Sequence, residues 1–299
     1  MKAVDILSRQ EILDLQQKSN QKATLLVLTS WAWVAGAFCL VALLPNMLTV
    51  LLALLIIGGR QLSFAIFMHD CGHNSLFKTN RLNNIVGTWL AAAPVFSDLQ
   101  TYSRQHSIHH KDVGTHNDPD LANYANYPIT RASLWRKILR DLCGLTALKF
   151  WFYVLKTRAK ADTSLVSNVA LLRALTVNLG LFFICFLLAY EWLYLLWIGA
   201  YNTTYFLFLR IRHVGEHAAV PNPNSRNMFE NTRTTAAHWW EKLLVCPVYV
   251  NFHIEHHLLP SVPPYNLPKM HRLLVAKQAY KDTFIPSGYI PMLRTVLKN

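Results

Sequence analysis

Residues 23–73 read ATLLVLTSWAWVAGAFCLVALLPNMLTVLLALLIIGGRQLSFAIFMHDCGH, and this stretch decides the fold. No charged side chain occurs from Ala23 to Pro45. As a helix rising about 1.5 Å per residue, such a block crosses a hydrocarbon core about 30 Å thick. A second block, from about Met47 to Met68, carries a single charge, Arg60, beside Gly58-Gly59. Only Pro45-Asn46 separates the two blocks, so a helical hairpin is expected.

Downstream, Ile85 to Phe96 is apolar but too short to span, and reads as an interfacial or re-entrant segment. Residues 97–167 are polar, basic and rich in His, Asp and Tyr, with an apolar patch at Phe150–Leu155 suited to a membrane surface. Two further blocks, about Ala174–Ala189 and Trp192–Leu209, have Glu191 as the one charge between them and predict a second hairpin. Residues 210–299 are polar again. Upstream, the first 22 residues are polar, without a cleavable signal pattern, and predict a short amphipathic helix over roughly Asp5 to Lys18.

The whole chain agrees with this. Of 299 residues 53% are hydrophobic and 15% charged, against about 25% charged in soluble domains. The net charge of +13 has its basic residues flanking apolar blocks, which favours anionic headgroups over nucleic acid as the partner. Neither tight turn holds Lys or Arg, so the positive-inside rule puts both termini and the middle segment in the cytoplasm. The expected fold is an all-α integral membrane protein, four transmembrane helices in two hairpins with a cytoplasmic helical cap. The expected division is an N-terminal segment 1–22, a membrane domain 23–275 and a C-terminal tail 276–299. Arg60, a charge inside a span, is expected at a substrate channel or headgroup, or else at a helix break that lets it reach the interface. Five cysteines without CxxC or paired spacing exclude a disulfide framework or zinc finger.

Thirteen histidines are present, most of them clustered: HDCGH at 69–73, HSIHH at 106–110, HVGEH at 213–217 and HIEHH at 253–257. Spacings of three and four put imidazoles on one helix face. An even number of crossings separates the clusters, so all four meet at one membrane surface. Eight histidines in three boxes exceed the need of one ion and imply two. Imidazole suits Zn, Cu, Fe and Ni; two irons that activate O2 fit best, and the count leaves other metals open. The first box has Asp70 where an HExxH zinc hydrolase has its Glu. Asp70, Asp112, Asp118, Asp120, Glu216 and Glu255 lie close in sequence to these histidines and are candidates to orient ligating imidazoles, Asp70 and Glu216 foremost, with His213 beside them.

The three boxes, with NFHIEHHLLPSVP at 251–263, RHVGEH at 212–217, NTRTT at 231–235 and NDPD at 117–120, resemble the membrane fatty acid desaturase family over roughly residues 50–275. By position, the resemblance implies nine metal ligands: His69, His73, His106, His109, His110, His217, His253, His256 and His257. It implies two iron ions, O2 as co-substrate and a cis double bond introduced into an acyl chain held in a narrow tunnel. His116, His238 and His271 lie outside the boxes and are read as non-ligands. No cytochrome b5-like HPGG or rubredoxin-like CxxC pair is found, so a separate donor of ferredoxin or cytochrome b5 type is expected to dock on the basic face. The compact chain points to a bacterial inner membrane, or the endoplasmic reticulum if eukaryotic. Hydroxylation or ketolation of a carotenoid, sterol, alkane or other lipid is the alternative within the same superfamily. A non-catalytic metal transporter is the remote one, disfavoured because the histidines gather at one face.

Overall fold

The computed structural model describes residues 2–157 and 167–298. They are helical, and no β-strand occurs among them. Segment 158–166 of the polar middle region, like the two terminal residues, lies outside the described residues.

Among the described residues, three helices are long and apolar enough to cross a membrane: α2 (Asn20–Leu43), α3 (Met47–Gly72) and a later helix at Asn168–Leu187. Ahead of them, α1 (Arg9–Leu15) is shorter than expected. Ser8 and Glu11 form a capping box that starts it late, and a separate turn covers Ala3–Asp5. This N-terminal segment is docked: Leu7 and Leu15 pack with Val262, Leu267, Met270 and Leu274.

Pro45 ends α2, and Asn46 accepts the Thr49 N–H (3.1 Å) to start α3, giving the expected hairpin. Helix α3 is the central post. Every residue from Ile57 to Cys71 is buried. It passes unbroken through Gly58-Gly59, where a Cβ would meet the Thr204 Oγ1 at 2.2 Å and the Leu243 carbonyl oxygen at 2.7 Å. The glycine pair thus serves close helix approach and not a break. Arg60 does not reach an interface: it is 6% exposed, and its guanidinium donates to the Leu243 carbonyl.

Ile85–Phe96 is not a span. Val86–Ala92 form a π-helical stretch and Ala93–Val95 a 3-10 turn, with Ala91 to Val95 buried against α3 and the helix Asn168–Leu187. The polar middle carries α4 (Leu99–Asp112), α5 (Arg131–Leu142) and α6 (Leu145–Thr157), and then comes α7 (Asn168–Leu187). After the turn at 188–190, α8 (Tyr194–Ala200) continues through a π-helical stretch at Tyr201–Tyr205 into α9 (Phe206–His217). The fourth apolar block therefore spreads over several helical pieces. Leu25, Leu28, Leu48, Leu172, Leu179 and Leu187 are exposed on α2, α3 and α7, an apolar outer surface suited to lipid.

Candidate metal centre

Four elements converge. His69 sits in the last turn of α3 and His73 caps it. His106, His109 and His110 share a face of α4, whose N-terminus is closed by Asp98 accepting from the Gln100 N–H. His217 ends α9, and His253, His256 and His257 lie on α11, counting Trp239–Leu244 as α10 and His253–Leu258 as α11. The nine imidazoles expected as ligands divide into two groups. His69, His73, His106, His110 and His256 form one; His109, His217, His253 and His257 form the other. Within each group one nitrogen per ring lies within 4.8 Å of the rest.

This donor set fits metal. The Nε2 atoms of His69 and His256, of His106 and His110, and of His217 and His253 are each 3.0 Å apart. Two nitrogens bound at right angles to one ion, each at about 2.1 Å, sit about 3.0 Å from each other. The His73 Nε2 is buried without a hydrogen-bond partner among the described residues. Burial, with His73 and His109 beside it, pushes the His110 imidazole down to about 2; burial likewise lowers His253, His256 and His257. Neutral imidazole is the form that binds metal.

The opposite ring edges are anchored. His69 Nδ1–H donates to Asp70 (2.7 Å), His109 Nδ1–H to Asp118 (2.9 Å), and His217 Nδ1–H to the Asn231 carbonyl (3.2 Å). Each fixes the tautomer that turns Nε2 inward. Of the two candidate acids here, Asp118 takes the bond, and Asp120 is 3.9 Å from His109 Nδ1. Burial pushes the Asp118 carboxyl up, but bonds from His109 and Tyr124 hold it at about 2. Asp120 instead lies within reach of both His106 and His109, one from each group, and faces a cavity. Glu216 accepts from Arg212 Nε (2.7 Å) and stands 3.5 Å from His253 Nδ1.

One candidate acid finds its partners outside the boxes, and one support, Arg233, escapes sequence reasoning. Glu255, fully buried, accepts from Thr234 (2.6 Å), His271 (2.5 Å) and Tyr280 (2.5 Å). Arg233 donates to the carbonyls of Gly215, Ala218 and Ala219 around the end of α9, just where His217 projects. The NTRTT stretch was the available signal, since it holds both Arg233 and Thr234. His213 belongs to neither imidazole group but lines the cavity, and His116 is exposed.

A cavity of about 150 Å³ touches His106, His109, His217 and His253. A second, of about 210 Å³, is lined by aromatic and aliphatic residues including Phe96, Phe150, Tyr201 and Phe206. Ser97, Tyr102, Tyr205 and Leu209 line both, so an apolar pocket abuts the histidine centre. Arg60 lines neither.

The sequence model of the family described as fatty acid desaturase matches residues 45–287. The chain is 27% identical over 243 residues to the dihydrorhizobitoxine desaturase of Bradyrhizobium elkanii, covering 77% of this chain and 68% of that one. It is 26% identical over 274 residues to the sn-1 oleoyl-lipid 12-desaturase of a Picosynechococcus species (83% and 75%). A shorter match, 28% over 122 residues (40% and 33%), is to the sn-1 acyl-lipid omega-3 desaturase (ferredoxin) of a Synechocystis species. With its histidine boxes folded into one buried centre and its apolar helices around them, the chain belongs to the fatty acid desaturase family.

Proposed function

We propose that the nine imidazoles hold two iron ions, five on one and four on the other, and that the enzyme introduces a cis double bond into the acyl chain of a lipid. The observation that carries this reading is the division of the histidines into two buried groups beside an apolar cavity. Iron so held would supply the oxidising chemistry: two hydrogens leave adjacent carbons, and O2 with two further electrons and two protons ends as water. The protein's own residues do the rest. Asp70, Asp118 and the Asn231 carbonyl hold three ligand rings in register. Tyr102, Tyr205 and Leu209 connect the apolar pocket to the centre, so that an acyl chain lodged there meets the imidazole groups at a fixed carbon. The aromatic wall of Phe96, Phe150, Tyr201 and Phe206 excludes water from that chain.

In this reading both hairpin turns lie on one side of the membrane, and the cap, with both described ends of the chain, lies on the cytoplasmic side. The block at 192–209 is the fourth span. Electrons come from a separate carrier; the relative named for ferredoxin supports that class. The test is lipid profiling by mass spectrometry of cells expressing the wild type or His256→Ala, with a donor system supplied. A product two hydrogens lighter, found with wild type alone, supports desaturation. A product heavier by one oxygen points to hydroxylation, and unchanged lipids in both count against catalysis.

A further inference from the structure

A cleft of about 550 Å³, sharing no lining residue with the cavity at His106 and His253, also reaches the histidine centre. One wall comes from the end of α4 and the turn after it, Lys111 to Thr115; the other comes from residues 224–228. The walls are locked together where Gly114, at φ +79°, faces Pro223: a Cβ there would stand 1.8 Å from the Pro223 carbonyl oxygen. At the floor are His257 and Asn231. Both belong to the four-histidine group, His257 as a member and Asn231 through the carbonyl that accepts from His217. The acyl cavity touches neither His257 nor Asn231. The rim is basic: Lys2, Lys111 and Arg226 are exposed, against the single lining carboxylate of Asp112.

We propose that this cleft is where an acidic one-electron carrier protein docks, and that electrons enter through His257 into the four-histidine group. The inference rests on the proposed di-iron function and adds the place and the direction of entry. Three cations around a recess that reaches a ligand edge fit a carrier with carboxylates ringing its redox group. Because Lys111 and Arg226 are exposed, their attraction is long-ranged and is screened by salt.

The test uses the full chain in detergent with a purified acidic plant-type [2Fe–2S] ferredoxin as probe. Its readouts are the binding constant at several ionic strengths, and iron-dependent turnover driven by the ferredoxin or by dithionite. In the double variant K111E/R226E, ferredoxin binding is expected to weaken at least about tenfold and to lose most of its salt dependence. Ferredoxin-driven turnover falls with it, while dithionite-driven turnover and iron content stay at wild-type levels. Unchanged ferredoxin affinity in the variant, or no binding to wild type, overturns the docking surface while leaving the enzyme reading intact. Absence of iron and of turnover with either reductant in wild type would instead overturn the di-iron function itself.

Discussion

The Nε2 of His69 lies 3.0 Å from the Nε2 of His256, although one ends a buried helix of the first hairpin and the other sits on a short helix 187 residues later. A separation of 3.0 Å suits two imidazole nitrogens turned toward one cation. The His69 ring is held from behind by Asp70 at 2.7 Å, so its inward edge is set by the chain itself.

Asp118 and Asp120 have separable roles. Asp118→Asn removes the carboxylate that fixes the His109 tautomer, and metal affinity is expected to fall roughly 10- to 100-fold with the helical fold retained. Asp120→Asn, 3.9 Å from that nitrogen, is expected to cost less affinity. Competition against a chelator of known iron affinity ranks the two; equal losses would contradict the assignment.

Leu209 lines both the histidine cavity and the aromatic pocket. Leu209→Trp fills the passage between them. Turnover is expected to drop about 100-fold or more while iron per chain is unchanged, since a small displacement of the reacting carbon is enough. Normal turnover with the tryptophan in place would mean the acyl chain takes another route.

Glu255 holds three buried or half-buried donors, and none of them is a box residue. Glu255→Ala leaves Thr234, His271 and Tyr280 without their acceptor, and a loss of roughly 3 kcal/mol or more is expected. Thermal unfolding in detergent measures it. Glu255→Gln keeps the shape and should recover part of the loss; a wild-type melting curve for the alanine variant would show that the network is dispensable.

Topology is testable by cysteine labelling in intact spheroplasts, on a background with the native cysteines removed. Asn46→Cys and Ala189→Cys, at the two turns, should react with a membrane-impermeant maleimide, and Ser8→Cys only after lysis. Labelling of one turn but not the other would split the histidine clusters between leaflets and break the site, and labelling of Ser8→Cys without lysis would reverse the orientation.

Much of this was legible in sequence because it is local. Uncharged runs announce helices in lipid, and histidines spaced three and four apart announce a ligating face. The division of nine rings into five and four was not legible, because it depends on which face of α4 meets α3 and which meets α9 and α11. Asp118 and Asp120 both stood near the histidines in sequence, and which of them bonds His109 was not legible, because both lie in a turn where no periodicity guides the reading. For Arg60 the sequence leaves open a channel or headgroup contact and a helix break; the helix is unbroken, and the partner, the Leu243 carbonyl, is 183 residues away, where no local pattern points. His271, set aside as a non-ligand, pairs instead with Glu255. The N-terminal helix came out short because the Ser8–Glu11 capping box overrides the apolar periodicity around it.

The most direct test is metal content. Protein purified without chelators from iron-replete cells, and analysed by inductively coupled plasma mass spectrometry against amino-acid quantitation, should carry about two irons per chain, the number a five-ring and a four-ring site require. A single zinc per chain, or no metal at stoichiometric level in folded protein, would contradict the account.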